Sequence, residues 1–147
     1  MTREDIMLKA YLAAPYVRKE QIREYAAELR AGNVVVTSTW LNEPHSPTTL
    51  TNELTPESNR QYAIQDVKDI YAANLLVFFT DPTGEIVRGG RHVEFGIALA
   101  RRIPIFVVGK EMENIFHHMP GVLHFDSWEV VRDLLIAMNN VDSPQGR

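Results

Sequence analysis

The segment LLVFFT, from Leu75 to Thr80, constrains the fold most because it is apolar almost throughout. A strand with one face in water alternates apolar and polar residues, whereas a continuous apolar run requires that both faces be covered. Such strands lie at the centre of parallel sheets, between layers of helices. Amphipathic segments flank the run at 55–74 and 88–102 and can supply those helices. The chain is therefore predicted to be an α/β protein.

The same alternation extends along the whole chain. Strands are predicted at 6–14, 33–40, 75–80, 103–109 and 122–126, and helices at 15–32, 55–74, 88–102 and 127–140. This order predicts a flavodoxin-like, doubly wound parallel sheet of about five strands in the order 2-1-3-4-5, with helices on both faces. We expect a single domain over 1–140 and a flexible tail over 141–147. Ligands of such sheets bind beyond the carboxyl ends of the strands, between strands 1 and 3.

Composition excludes several classes of protein. A length of 147 residues with 45% hydrophobic side chains fits one globular domain, and a net charge of -4 gives no nucleic-acid footprint. The absence of cysteine excludes disulfides and thiolate metal sites. No apolar run is long enough for a signal core or a bilayer span, so we expect a cytoplasmic protein without membrane partners. The adjacent His117 and His118 should face different ways, and we expect no metal and no cofactor.

A glycine-rich helix start carries the most suggestive chemistry. In RGGRHVEFGIALARR (88–102), Gly89 and Gly90 open the predicted helix and Glu94 lies about one turn inside it. Free N–H groups and the helix dipole favour anions at such a start, and should hold a nearby carboxylate ionised. An ionised carboxylate can act as a nucleophile or stabilise a cationic centre. It can equally be an ordinary capping acid, and the spacing alone does not choose between these roles.

Two further residues place this segment in a known context. Together with Tyr11 at the end of the first strand and Asp66 in QDVKD, it resembles the nucleoside 2-deoxyribosyltransferases and related deoxynucleotide N-glycosidases, over roughly residues 7–108. The resemblance implies that Glu94 attacks the anomeric carbon, that Tyr11 orients this carboxylate, and that Asp66 helps protonate the leaving base. It also implies a small-molecule substrate, no cofactor, and a homo-oligomer, dimeric or larger.

The position six residues before Glu94 departs from the family pattern. The family tends to place a small polar or acidic residue there, near the sugar 5′ position, whereas this chain has Arg88. An arginine suits a phosphate, which favours a nucleoside 5′-monophosphate, and Arg18 and Arg91 could join the same anion site. Trp40, at the end of the second strand, could stack on the base or pack in the interior. The loop at 41–54 offers further base-recognising groups: Asn42, Glu43 and Asn52.

Three alternatives stay open at this stage. Transfer of the sugar to a second base and transfer to water need the same nucleophile, so the sequence does not separate a transferase from a hydrolase. A non-catalytic nucleotide-binding or regulatory module would use Glu94 only as a helix cap. A phosphoribohydrolase of the lysine-decarboxylase-like family also uses glycines and a glutamate, but the three residues between Gly90 and Glu94 do not match its longer motif.

Overall fold

Five parallel strands form one sheet at the centre of the molecule. The computed structural model describes residues 7–44, 46, 53–82 and 89–141. The strands are β1 Lys9–Ala13, β2 Val35–Val36, β3 Leu75–Phe79, β4 Ile105–Val108 and β5 Val122–Phe125, in the order β2-β1-β3-β4-β5. Every neighbouring pair is parallel. This confirms the predicted sheet and its strand order.

Helices cover both faces of the sheet, as a doubly wound fold requires. They are α1 Lys19–Ala31, α2 Pro56–Ala72, α3 Gly90–Ala100 and α4 Trp128–Val141. Helices α2 and α3 pack together on one face, and α1 and α4 on the other. Among the described residues, none of the helices combines the length and apolarity needed to cross a membrane. The predicted tail falls almost entirely at 142–147, outside the described residues.

β3 fills the centre of the sheet and separates the two layers. All five of its residues are buried. Neighbouring side chains on a strand point to opposite faces, and Phe78 accordingly packs against Phe95 of α3 while Phe79 packs against Tyr25 of α1. The continuous apolar run therefore packs against helices on both faces of the sheet.

β2 is much shorter than the predicted strand at 33–40, because side chains take the place of its backbone hydrogen bonds to β1. The Thr37 N–H still donates to the Ala10 carbonyl at 2.9 Å. Beyond that point the Leu12 N–H donates to Ser38 Oγ at 2.6 Å, and Trp40 Nε1 donates to the Leu12 carbonyl at 2.8 Å. With the β1 backbone satisfied in this way, the chain turns into a 3-10 helix at Thr39–Asn42.

Candidate active site

Glu94 and Tyr11 meet where α3 crosses β1. Gly89 caps the helix with a φ of 79°, a left-handed conformation that glycine adopts without strain. Glu94 follows in the second turn, on the face directed at the sheet. The hydroxyl of Tyr11, which is fully buried, donates a hydrogen bond to Glu94 Oε2. The structure thus brings together two of the three residues predicted to be catalytic.

The protonation of Glu94 differs from the expectation. Burial raises its pKa to about 8, the nearby Asp66 carboxyl adds to the rise, and the bond from Tyr11 opposes it. The prediction that the helix start holds Glu94 ionised is therefore wrong for the free protein near neutral pH. The dipole effect is confined to the first turn, which Glu94 has passed, and desolvation outweighs it. Burial, followed by the charge of Glu94, raises the pKa of Tyr11 well above its usual range, so the phenol stays a donor.

Asp66 belongs to the same electrostatic cluster. Burial raises its pKa to about 7, and the charges of Glu43 and Asp69 contribute. Its Oδ1 atom is buried and has no hydrogen-bond partner among the described residues. A buried polar atom without a partner is costly, so an unpaired carboxyl oxygen beside Glu94 is a group that a ligand can satisfy.

Two more acidic residues complete the cluster, which comprises Glu43, Asp66, Asp69 and Glu94 and is called the carboxylate cluster below. Asp69 accepts hydrogen bonds from the Thr39 N–H at 2.9 Å and the Thr39 hydroxyl at 2.5 Å. Glu43 accepts from the Tyr16 hydroxyl at 3.2 Å, and burial raises its pKa. Glu43 was a candidate from the sequence, whereas Asp69 was not. The three-residue spacing from Asp66 to Asp69, which places both on one helix face, could have revealed it.

Trp40 lies in the interior beside this cluster. The indole is 5% exposed, its Nε1 donates to the Leu12 carbonyl, and its ring packs 5.5 Å from that of Tyr16. These contacts favour the packing role that the sequence left open. Stacking on a base stays an untested prediction.

The three arginines proposed for phosphate have different surroundings. Arg91 is buried, forms an ion pair with Glu113, and its guanidinium carbon lies 4.9 Å from the Phe78 ring centroid. Arg18 donates to the Thr80 carbonyl at 3.3 Å, and it lines a cavity of about 570 Å³ at the carboxyl ends of β3 and β4. Arg88 lies outside the described residues. Arg18 and Arg91 therefore both reach the end of β3, but a shared phosphate site remains a prediction.

The adjacent histidines His117 and His118 have different surroundings. His117 is fully buried whereas His118 is exposed, so the two neighbours face different ways. The His92 ring contacts two side chains: its Nε2 atom lies 3.4 Å from Glu113 Oε2, and its Nδ1 atom lies 3.2 Å from Asn114 Nδ2. Over the part of the chain that the structure describes, no three His, Asp or Glu side chains are grouped to hold a metal ion.

Comparisons with known proteins place this geometry on a familiar fold. No protein-family model and no curated protein matches the sequence. A solved 2-deoxyribosyltransferase from the psychrotolerant bacterium Bacillus psychrosaccharolyticus matches with a TM-score of 0.63 at 20% identity, over 85% of this chain and 90% of that chain. The chain has the fold of a 2-deoxyribosyltransferase. The CMP N-glycosidase BcmB of Clostridium botulinum matches with a TM-score of 0.56 at 20% identity, over 86% of this chain and 97% of that one.

One neighbour is a 2-deoxyribosyltransferase and the other is an N-glycosidase, although the substrate in its name, CMP, is a ribonucleotide. The resemblance drawn from Glu94, Tyr11 and Asp66 is confirmed in that sense. At 20% identity the likeness establishes the 2-deoxyribosyltransferase fold, and function has to be argued from the site. The candidate site is the Tyr11–Glu94 pair with Asp66, on the face covered by α2 and α3.

Proposed function

We propose that this protein cleaves the N-glycosidic bond of a (deoxy)nucleoside or nucleoside 5′-monophosphate, with Glu94 as the nucleophile. The observation that carries the proposal is the hydrogen bond from buried Tyr11 to Glu94 inside the carboxylate cluster. The fold supports it, since one structural neighbour is a 2-deoxyribosyltransferase and another is a CMP N-glycosidase. Acceptance of the sugar by a second base would make the protein a transferase, and acceptance by water a hydrolase.

The proposed reaction needs two carboxyl groups in different protonation states. Tyr11 holds Oε2 of Glu94, and Oε1 forms a bond to the anomeric carbon as the bond from that carbon to the base breaks. The electron pair of the broken bond goes to the base, and Asp66 supplies the proton that neutralises it. In the second half, an acceptor base or water attacks the anomeric carbon and releases the Glu94 carboxylate. The proton of the acceptor returns to Asp66, which restores the starting state.

The proposed reactive state holds one proton on the two carboxyl groups, with Glu94 ionised and Asp66 protonated, whereas in the free protein the higher pKa of Glu94 keeps that proton on Glu94. The pKa values of about 8 and about 7 lie close together, so the pair titrates as a coupled unit around neutral pH. Negative charge on one member disfavours ionisation of the other. We propose that the cluster supplies both the nucleophile and the acid when the shared proton lies on Asp66.

A product assay tests this function directly. The common nucleosides and nucleoside 5′-monophosphates are incubated with the protein, and released base is separated by chromatography. The matched control is Glu94→Gln, which keeps the size of the side chain and removes the nucleophile. Release by the wild type but not by the variant supports the proposal, and equal release by both overturns it. A second base added as acceptor distinguishes transfer from hydrolysis by the new nucleoside formed.

One observation favours the alternative of a non-catalytic nucleotide-binding module. Burial keeps much of Glu94 protonated near neutral pH in the free protein, and a protonated carboxyl group is a poor nucleophile. Calorimetric titration with the same nucleotides separates the two functions. Binding without base release from any of them, across a range of pH, would establish the module instead.

We also propose that the protein is a homo-oligomer that buries the face formed by α2 and α3. Large apolar side chains are exposed on α2 (Ile64, Val67 and Tyr71) and on α3 (Val93), and Ile115 and Phe116 are exposed on the 3-10 helix Ile115–His118 after β4. Apolar side chains exposed on two helices that pack together are typical of a protein interface. Light scattering should give a mass of two or more chains, and Val93→Glu, which charges a side chain 64% exposed in the single chain, should reduce it.

A further inference from the structure

Glu113, on the segment after β4, binds both ends of the connection between β3 and α3. Its Oε1 atom accepts a hydrogen bond from the Asp81 N–H at 2.6 Å, just past the end of β3. Its Oε2 atom accepts from Arg91 Nη1 and lies 3.4 Å from His92 Nε2, in the first turn of α3. The Glu113 side chain is 15% exposed and that of Arg91 is 7% exposed, so the ion pair is shielded from water.

The backbone of Glu113 is itself held in place. Its N–H donates to His117 Nδ1 at 3.3 Å, and the His117 ring lies 4.8 Å from Phe78 and 4.9 Å from Phe95. The next residue, Asn114, is 3.2 Å from His92 Nδ1. Glu113 therefore connects the start of α3 to the centre of the sheet through groups that are packed in the core.

We infer that Glu113 is a positioning residue that fixes Glu94 against Tyr11. The inference rests on the proposed function of Glu94. Glu94 lies one turn after Arg91 on the same helix, so any shift of the first turn of α3 moves its carboxylate. Reacting groups must hold their geometry within a fraction of an ångström, and supporting contacts usually provide this. A charge-assisted contact shielded from water is suited to that task.

The contacts of Arg91 agree with this positioning role. In the sequence, Arg91 was a candidate phosphate ligand. In the structure, its guanidinium donates to Glu113 and to the Phe79 carbonyl at 3.4 Å. These contacts tie α3 to the end of β3, and they give Arg91 a role in aligning the helix that carries the nucleophile.

A set of variants distinguishes an effect of Glu113 on the stability of the fold from an effect on the position of Glu94. Glu113→Ala leaves the buried Arg91 charge unpaired and is expected to destabilise the fold. The double variant Arg91→Met with Glu113→Met removes both charges at similar volume and should remain folded. Its kcat for base release is expected to fall by about tenfold to a hundredfold, with a much smaller change in KM. Glu113→Gln, which keeps an acceptor for the Asp81 N–H, should retain more of kcat than the double variant.

A second ion pair, more exposed than the first, provides a control on the opposite face of the sheet. Glu28 and Arg132 are joined at 2.9 Å between α1 and α4. Glu28→Met with Arg132→Met should leave kcat unchanged. If both double variants lose kcat only in proportion to their loss of Tm, Glu113 is merely structural and the inference is overturned.

Amide hydrogen exchange supplies a readout that does not depend on turnover. In the Arg91→Met, Glu113→Met variant, exchange of the Asp81 amide and of the amides in the first turn of α3 should accelerate. Exchange in β1 and β4 should not change. Unaltered exchange at Asp81 and α3 overturns the inference even if kcat falls. A wild type that releases no base refutes the proposed function, while the exchange experiment still decides whether Glu113 fixes the start of α3.

Discussion

The Tyr11 hydroxyl donates to the carboxylate of Glu94, although the two residues lie 83 positions apart in the sequence. The pairing of β1 with β3 and the packing of α3 over both strands bring them together. Because Tyr11 is fully buried, its ring is fixed by the core and its hydroxyl has a defined direction. A carboxylate held by a rigid phenol keeps one orientation, which is what attack on a single carbon atom requires.

Replacement of Tyr11 by phenylalanine removes this bond and keeps the ring. The fold should persist, with a small loss of Tm, while kcat falls by about tenfold to a hundredfold. The bond lowers the pKa of Glu94, so its removal should raise that pKa further above about 8. The acidic limb of the pH profile of kcat/KM should therefore move to higher pH. A profile that stays in place would show that Tyr11 does not set the ionisation of Glu94.

Replacement of Glu94 tests the nucleophile itself. Glu94→Ala and Glu94→Gln should lower turnover by roughly 10³-fold or more, while substrate still binds in calorimetry. A 2-fluoro sugar analogue, which slows release of the intermediate, should add its mass to the peptide that contains Glu94. Near-normal turnover in Glu94→Ala would eliminate this residue as nucleophile.

Arg88 provides a test of the substrate that is independent of the described structure. Its position just before the start of α3, where free N–H groups favour anions, predicts a contact with a 5′-phosphate. Loss of a charge-assisted contact costs about 1.5–3 kcal/mol, so Arg88→Ala should weaken use of the monophosphate by about one to two powers of ten. The free nucleoside should be affected little.

The ratio of kcat/KM for monophosphate over nucleoside, in the wild type and in Arg88→Ala, measures this effect. Arg18→Ala serves as a comparison, because Arg18 is bonded to the Thr80 carbonyl and its guanidinium carbon lies 5.4 Å from the Phe79 ring centroid. A wild type that prefers the nucleoside, or a ratio that Arg88→Ala does not change, refutes the phosphate assignment.

The sheet could be predicted because its signals are local. A few consecutive residues are enough to predict the apolar strand β3 and the start of α2 at Thr55–Pro56. In the structure, the Thr55 side chain accepts a hydrogen bond from the Ser58 N–H at 3.0 Å, as a helix N-cap does. β2 was predicted too long, because its β-branched sequence does not show that Ser38 and Trp40 take over its hydrogen bonds.

The site was predictable only where single residues carry the chemistry. Glu94, Tyr11 and Asp66 stand in recognisable positions, but their protonation depends on burial and on neighbours from other elements, which no local pattern contains. Glu113 was missed altogether, since its partners Asp81 and Arg91 come from distant segments. Long-range polar contacts of this kind are decided by the tertiary structure.

The carboxylate cluster should reduce the stability of the protein as pH rises. The pKa values of Glu94, about 8, and Asp66, about 7, exceed the ordinary values of 4.5 and 3.8. The folded state therefore binds more protons than the unfolded state between these limits, and the free energy of unfolding decreases from about pH 4 to about pH 8. Below about pH 4 both carboxyl groups are protonated in the folded and in the unfolded protein, so they no longer lower the free energy of unfolding.

Neutral variants should remove this penalty and become more stable than the wild type. Near pH 9, Glu94→Gln and Asp66→Asn should each increase the free energy of unfolding by a few kcal/mol, because the wild type then carries buried negative charge that the neutral variant lacks. Near pH 4 the gain should disappear, because the wild-type groups are then neutral as well. Urea unfolding at several pH values measures the effect. Glu57→Gln, which alters an exposed ion pair with Arg60 on the same helix as Asp66, should show no such dependence. If Glu94→Gln increased the free energy of unfolding equally at both pH values, the increase would come from packing and not from removal of a buried charge.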